Sequence, residues 1–444
     1  MSHGAVSRSI PIVTAYDTLG EEGLRHSLIQ TMSVVIFTEP ELLRKLESVL
    51  HDTPALKIVV YNDLNVDQTQ MLQIDEFRSR QPGLTVISFS DLRGLGEKNA
   101  VEPVPPARDA VCCIMYTSGS TGLPKGVPIK HKAVIAAGEF VYKVATWFAN
   151  YVIVAGVSHS VGEYVGSDDR LLAYLPLAHI FEYTIEHAFM YWGMTMGYGS
   201  PRTLTDSSVR NCKGDIREFR PSLLVGVPAV WELIKKGVVA KLDSASMLQR
   251  NLFWAAFTAK DAMLAYRVPG AATFSGLLDQ FVFRKIKDAT GGRLKLCLYG
   301  GGPISKETHR FISIAICPLL HGYGLTETCA MGAFTRPENF TWNSLGDILP
   351  CIEMKLVDYP EAGYLTSNIL PQGEIWIRGD PVFEGYLGNE EETREAITED
   401  GWFKTGDIGE FDEVGHVRLI DRKKNLVKTL NGEYIALEKV SLRT

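Results

Sequence analysis

The chain has 444 residues, with 45 Lys plus Arg against 52 Asp plus Glu and a formal net charge of −7. Hydrophobic residues make up 45% and charged residues 22%, an ordinary globular composition that excludes a disordered or collagen-like chain. The mildly acidic balance excludes nucleic-acid binding through a general positive field, so any anionic ligand must be held by a local site.

This length suits about three average domains, or one large α/β unit with subdomains. The seven cysteines, Cys112, Cys113, Cys212, Cys297, Cys317, Cys329 and Cys351, contain no C-x-x-C pair, and no histidines cluster at metal spacing. Reduced, intracellular thiols are expected. The N-terminus, MSHGAVSRSIPIVTAYDTLG, lacks an apolar core of signal-peptide length, and the closing SLRT matches no peroxisomal or reticulum-retention signal. The longest apolar run, Val144 to Val157, is broken by Asn150 and falls short of the ~20 residues that span a bilayer. Any meeting with a membrane is therefore expected to be peripheral.

In chain order, short apolar runs alternate with longer amphipathic segments: Leu56 to Tyr61, Leu84 to Phe89, Val111 to Tyr116, Leu171 to Leu175, Leu223 to Val227 and Leu294 to Tyr299. That rhythm predicts buried strands with crossover helices, hence an α/β fold with largely parallel sheets. Val101 to Arg108 (VEPVPPAR) reads as an exposed proline-rich linker. Asp243 to Gly276 has helical periodicity without identifiable chemistry. From about Gly346 shorter strands such as Glu353 to Val357 and Gly373 to Gly379 predict an antiparallel β subdomain.

Chemistry concentrates in a few places. YTSGSTGLPKG, Tyr116 to Gly126, follows an apolar run directly. Its three glycines let backbone approach an anion, its hydroxyls donate, and Lys125 adds positive charge, a composition that suits polyphosphate. It is not the Walker pattern, because Lys125 lies between Pro124 and Gly126. YGGGPIS strips side chains from Gly300, Gly301 and Gly302 after a strand, which suits either a flat ligand or a plain tight turn. HGYGLTET places Tyr323, Gly324, Thr326 and Glu327 around a turn; read alone, it is equally a helix start capped by Thr326. Asp407, in TGDIG, reads as a turn aspartate between glycines, and Arg422 begins what reads alone as a solvated basic turn with Lys423 and Lys424.

Taken together with LPLAHIFE (Leu175 to Glu182), VGVPAVWE (Val225 to Glu232) and DRKKNLVKTLNGEYIALE (Asp421 to Glu438), these motifs stand in an order that resembles the adenylate-forming superfamily, especially fungal-type long-chain fatty acyl-CoA synthetases. The resemblance implies ATP-dependent activation of a long-chain fatty acid to an acyl-adenylate, followed by transfer to CoA. It implies that Thr117, Ser118, Gly119, Ser120, Thr121, Gly122 and Lys125 hold phosphates, that Gly300 to Gly302 wall the adenine and acyl group, and that the ring of Tyr323, beside Gly324, packs on adenine. It further implies that Thr326 reaches the α-phosphate, that Glu327 holds Mg²⁺, and that Asp407 and Arg422 bind the ribose. All are expected to converge on one ATP, with Thr326, Glu327 and Lys125 in the catalytic roles. His179, Phe181, Tyr183, Val227, Pro228 and Trp231 match segments lining the acyl site, and Asp421 matches the hinge of a mobile C-terminal domain.

The same resemblance suggests a domain plan: a partial N-terminal α/β subdomain and linker at 1–107, a central AMP-binding subdomain at 108–345, a β-rich subdomain at 346–420, and a hinge with the truncated start of a C-terminal domain at 421–444. Relatives carry more chain before Pro11 and beyond Glu438, including a lysine that contacts the α-phosphate. Weak or absent turnover is therefore expected of this chain. Expected partners are fatty acid, ATP and CoA, with Mg²⁺ as cofactor, and the expected setting is the cytoplasm or the periphery of the endoplasmic reticulum, a lipid droplet or a similar membrane. Two rivals remain open: another acid-activating ligase on the same fold, and a noncatalytic ATP- or fatty-acid-binding fragment.

Overall fold

The computed structural model describes residues 1–16, 19–117, 122–138, 161, 164–265, 271–337, 340–342, 344–428 and 434–436. The apolar run Val144 to Val157 lies outside them. The chain forms two compact units. Unit 1 is Met1–Val134 with Phe383–Ile397, and unit 2 is Ile135–Val382 with Thr398–Thr444.

Unit 1 holds two small sheets. In the first, β1 (Ile12–Thr14) runs parallel to β5 (Val111–Thr117), which pairs antiparallel with β6 (Lys125–Lys130). The second is parallel, in the order β2 (Val35–Thr38), β3 (Ile58–Tyr61), β4 (Thr85–Ser88). Its core joins Val59 and Val86 to Leu43, Leu46, Ile74 and Phe77. The helix Gln68–Arg80 that supplies Ile74 and Phe77 is started by Asp67, whose carboxylate accepts from the Gln70 amide at 2.8 Å. Strand β3 begins at Ile58 rather than Leu56, because the Leu56 amide closes a turn onto the Thr53 carbonyl. The proline-rich stretch is exposed, as expected, but pinned: Val104 donates to the Ser7 carbonyl at 2.8 Å and Ser9 Oγ to the Val104 carbonyl at 2.6 Å.

Unit 2 is built on a seven-stranded sheet. Five parallel strands are β7 (Arg170–Ala173), β8 (Thr195–Tyr198), β9 (Leu223–Gly226), β10 (Leu296–Tyr299) and β11 (Leu319–Tyr323), with β12 (Ala333–Phe334) and β13 (Asp347–Ile348) added antiparallel at one edge. Every residue of β9 and β10 is buried, which is why these strands read as unbroken apolar runs rather than alternating ones. Val227 caps a helix instead of extending β9, since Pro228 occupies its first turn. The predicted helical stretch divides into Met247–Ala265 and Ala271–Phe281. Phe253 meets Phe283 edge-on at 5.4 Å within the main core, alongside Trp231 and Phe311. The antiparallel subdomain is a four-stranded sheet of β14 (Glu353–Val357), β15 (Gln372–Arg378), β16 (Phe403–Phe411) and β17 (Val417–Arg422). Among the described residues no helix is long and apolar enough to cross a membrane.

The helix Ile180–Tyr191 carries a buried acidic pair. Glu182 is 2% exposed. Burial, with Glu186 one turn away, pushes its carboxyl from 4.5 up to about 8. A folded value above the unfolded one means that stability is intact below about pH 4.5 and is lost as pH rises toward 8. The melting temperature is therefore expected to fall between pH 5 and 8. Glu182→Gln, which keeps an acceptor for the Tyr174 and Leu175 backbone, should flatten that slope in calorimetry across the same range.

Candidate nucleotide site

The motif Tyr116 to Gly126 begins in β5 and ends in β6, the hairpin of unit 1. Thr117 pairs with Lys125 and Tyr116 with Gly126 across the ladder, so the motif's two ends close the hairpin. Ser118, Gly119, Ser120 and Thr121 lie outside the described residues. Gly122 has φ +125 and open space where a Cβ would stand, a backbone shape that favours glycine. Lys125 forms an ion pair with Glu392 and lies 5.0 Å from the Tyr386 ring centre. The base of the hairpin is fastened by Gln30. Tyr116 Oη donates to Gln30 Oε1 at 2.7 Å, Gln30 Nε2 donates to the Leu387 carbonyl at 2.8 Å, and the Leu387 amide donates to the Gly126 carbonyl at 2.9 Å. Lys130 and Lys132 both reach Glu384. Sequence reasoning missed Gln30, Glu384, Tyr386 and Glu392, because no motif connects them to a hairpin more than 80 residues away in the chain.

In unit 2, β10 and β11 end side by side. Gly300 follows β10, and a Cβ there would stand 3.0 Å from the Gly322 carbonyl and 3.3 Å from the Phe181 ring. Close packing therefore accounts for Gly300. Gly301 has φ +78, and a Cβ at Gly301 or Gly302 would meet only Val227 and Pro228, at 3.8 Å. The motif ends at Ser305, which starts the helix Lys306–Ala315 and donates to Glu232 at 2.9 Å. His321 stacks on Tyr299 at 4.1 Å, and burial pushes it down to about 3, so it is neutral at physiological pH.

Tyr323, Asp407 and Arg422 meet. Tyr323 Oη donates to Asp407 Oδ2 at 2.7 Å, and Arg422 Nε lies 3.3 Å from Asp407 Oδ1. The sequence suggested a turn at Asp407, but the structure places it inside β16, directly opposite Arg422 of β17. Residues opposite each other in an antiparallel pair share one face of the sheet, and that register explains the ion pair. Arg422 likewise ends a strand rather than opening a basic turn; Lys423–Asn425 supply the turn. Asp407 is 2% exposed; burial pushes its carboxyl above the usual range, while Arg422 and Tyr323 oppose the rise. The Asp407 amide donates to Thr405 Oγ1 at 3.0 Å and the Gly406 amide to Glu374 Oε1 at 3.2 Å.

Between Tyr323 and Gly332 the backbone folds onto itself. Thr326–Thr328 form one 3-10 turn whose preceding residue is Leu325, so Thr326 opens the turn and does not cap it. Cys329 and Ala330 both have positive φ, 51° and 64°, although neither is glycine, and such conformations cost ~1–3 kcal/mol each and cluster where structure serves function. Thr326 is half-buried and Glu327 buried at the head of this strained turn.

The acyl candidates gather beside the glycines. His179 Nδ1 accepts from the Phe181 amide at 3.1 Å, and burial holds its imidazole below the usual range. The half-buried ring of Phe181 reaches Gly300 and Val227 reaches Gly301. Tyr183 and Trp231 are fully buried, Tyr183 against His187 at 4.2 Å and Trp231 over Gly226. Asp421 is also fully buried, paired with Ile408 in the β16–β17 ladder, with Oδ1 accepting from the Arg422 amide at 2.6 Å.

Residues 1–387 match the family model described as AMP-binding enzyme. The chain belongs to the AMP-binding enzyme family. It is 46% identical to long-chain-fatty-acid–CoA ligase 1 of Saccharomyces cerevisiae over 98% of this chain and 61% of that protein. It is also 46% identical to long-chain-fatty-acid–CoA ligase 2 of Schizosaccharomyces pombe, over 99% of this chain and 60% of that one. The chain thus spans about three fifths of the length of these curated relatives. Among solved structures, the adenylation domain of a carboxylate reductase from Mycobacterium chelonae superposes with TM-score 0.71 at 23% identity, covering 97% of this chain and 60% of that one. The anthranilate CoA ligase AuaEII, solved with anthranoyl-AMP, gives 0.67 at 18%, covering 99% and 68%. Both likenesses bear on fold alone, and they agree with an α/β adenylate-forming architecture.

For an AMP-binding enzyme the donor set is informative. Among the described residues no group of three or more His, Cys, Asp or Glu gathers to hold a metal. Mg²⁺ often takes one or two carboxylates plus substrate phosphates. Glu327, one buried carboxylate in the Thr326–Thr328 turn, fits that mode.

Proposed function

We propose that the chain carries the ATP-handling part of a long-chain fatty acid–CoA ligase. In this reading a fatty acid carboxylate attacks the α-phosphorus of ATP to give acyl-adenylate and pyrophosphate, and the CoA thiol then displaces AMP. The observation that carries it is the cluster in which buried Asp407 lies 2.7 Å from Tyr323 Oη and 3.3 Å from Arg422 Nε. A buried carboxylate with a cationic and a phenolic neighbour suits ribose hydroxyls, which both donate and accept.

Thr117, Gly122 and Lys125, with Ser118, Gly119, Ser120 and Thr121, are assigned to the phosphates. Tyr323 and Gly324 are assigned to adenine, and Thr326 to the α-phosphate. Glu327 would hold Mg²⁺, which when bound neutralises charge on the departing pyrophosphate. Attack at phosphorus needs placement and charge stabilisation rather than a nucleophilic side chain. Phe181, Val227 and Pro228 offer apolar surface to the acyl group, with His179, Tyr183 and Trp231 behind them, where each buried methylene contributes about 0.8 kcal/mol. Asp421 is assigned to the hinge. ATP and CoA set the reaction inside the cell, and a fatty acid drawn from membranes or lipid droplets would be met peripherally at their surface.

The test is pyrophosphate exchange across acetate, benzoate, palmitate and oleate, run beside direct Mg-ATP titration. Exchange that rises with acyl length supports the reading, whereas exchange with benzoate alone points to another acid. Failure to bind Mg-ATP sinks it.

A further inference from the structure

Lys125 is the one charged side chain in the phosphate-loop motif, and a lysine is a flexible point charge that must be ordered before it is useful. In unit 1 it is already ordered. Its ammonium pairs with Glu392, its Nζ stands 5.0 Å from the centre of the Tyr386 ring, and its side chain is 19% exposed. Both partners come from Phe383–Ile397, which is remote in sequence yet belongs to unit 1. That segment is fixed to β6 where the Leu387 amide bonds the Gly126 carbonyl and Glu384 takes Lys130, and to the neighbouring helices where Gln30 bonds the Leu387 carbonyl and Lys132 reaches Glu384. Asn389 accepts from the Glu392 amide at 3.1 Å, and Thr393 Oγ1 donates to the Asn389 carbonyl at 2.6 Å. Glu392 is therefore presented from the first turn of the helix Glu390–Ala396, which Asn389 caps. A carboxylate seated in this way restricts where the ammonium paired with it can stand.

We propose that Glu392, with the Tyr386 ring, is the positioning residue of Lys125. The pair fixes the ammonium where nucleotide phosphate meets it, and Lys125 keeps Glu392 as its neighbour when the nucleotide is bound. An ammonium has three donors, so one directed at Glu392 leaves others for phosphate. This rests on Lys125 being a phosphate ligand. The structure presents the cradle formed, so the ordering cost is met before the ligand arrives.

The test uses the whole 444-residue chain and equilibrium titration with Mg-ATP. Glu392→Gln removes the charge at nearly constant shape and is expected to weaken binding about five- to tenfold, with Glu392→Asp retaining more affinity than Gln and Tyr386→Leu losing about threefold. In a Lys125→Ala background the Glu392→Gln change should cost nothing further, since Glu392 acts through the lysine. Equal or tighter binding by Glu392→Gln, or the same loss with Lys125 already removed, overturns the proposal. If Lys125→Ala alone leaves Mg-ATP affinity unchanged, the phosphate reading has failed and this inference goes with it. A second readout needs no nucleotide: trinitrobenzenesulfonate labelling of Lys125, followed by peptide mass spectrometry, should speed up in folded Glu392→Gln. An unchanged rate would also count against the cradle.

Discussion

Asp407→Ala is expected to weaken Mg-ATP binding about a hundredfold and to lower the melting temperature of the chain. The carboxylate is almost wholly buried and is shared between Tyr323 Oη at 2.7 Å and Arg422 Nε at 3.3 Å. Truncation removes the acceptor and leaves a phenol in a buried pocket with its partner gone. Leaving a buried donor unsatisfied costs about 1–3 kcal/mol, and more for charged groups. Loss of a ribose contact adds to this, and a hundredfold corresponds to about 2.8 kcal/mol. Asp407→Asn separates the two contributions. It keeps an acceptor for Tyr323 and drops the charge opposite Arg422, so its melting temperature should fall less than that of the alanine variant while affinity still drops by about tenfold. Isothermal titration with Mg-ATP and a thermal melt on each variant decide the matter; wild-type affinity in Asp407→Ala would remove Asp407 from the nucleotide site.

Much of this was legible from local pattern. The apolar runs that gave strands β3, β4, β5, β7, β9 and β10 were read correctly in type, and Glu353 to Val357 was read to the residue, because strand burial leaves a strong signal over a few positions. The errors fell at ends. Leu56, Leu175, Val227 and Leu294 are apolar, but they lie in turns, loops or caps, where a turn hydrogen bond or a following proline outweighs hydropathy.

Chemistry was legible where it was contiguous. Asp407 and Arg422 were found separately through their motifs, but their pairing follows from the β16–β17 register, which no short window contains. Gln30, Glu384, Tyr386 and Glu392 stayed hidden for the same reason. Their side chains are ordinary in type, and only the return of Phe383–Ile397 to unit 1 brings them to the hairpin. Gly300 was singled out with ligand approach or a plain tight turn as the expected reason, and Gly324 with a tight turn as the reason. The structure supplies another, since backbone or an aromatic ring already fills the position of each missing Cβ.

Gly324 makes the strongest case. A Cβ at this position would stand 2.1 Å from the Ala330 carbonyl oxygen and 2.3 Å from its carbon. At Gly332 it would stand 2.5 Å from the Tyr323 carbonyl oxygen. These obstacles are main chain, so no rotamer change relieves them. The two glycines let the loop close on itself, with the Ala330 amide bonded to the Leu325 carbonyl at 2.9 Å. The same closure holds Cys329 and Ala330 in left-handed conformations that neither prefers. Gly324→Ala must open the loop, which moves Thr326 and Glu327 together. Overpacking alone costs about 1–3 kcal/mol, and release of the strained turn refunds only part of it. The expected result is a folded but less stable protein whose Mg-dependent ATP affinity falls by at least about tenfold. Ala330→Gly should do the opposite to stability, raising it by up to about 1 kcal/mol through relief at φ 64°. If Gly324→Ala binds Mg-ATP like the wild type, the turn is scaffolding, and Thr326 and Glu327 do not depend on its shape.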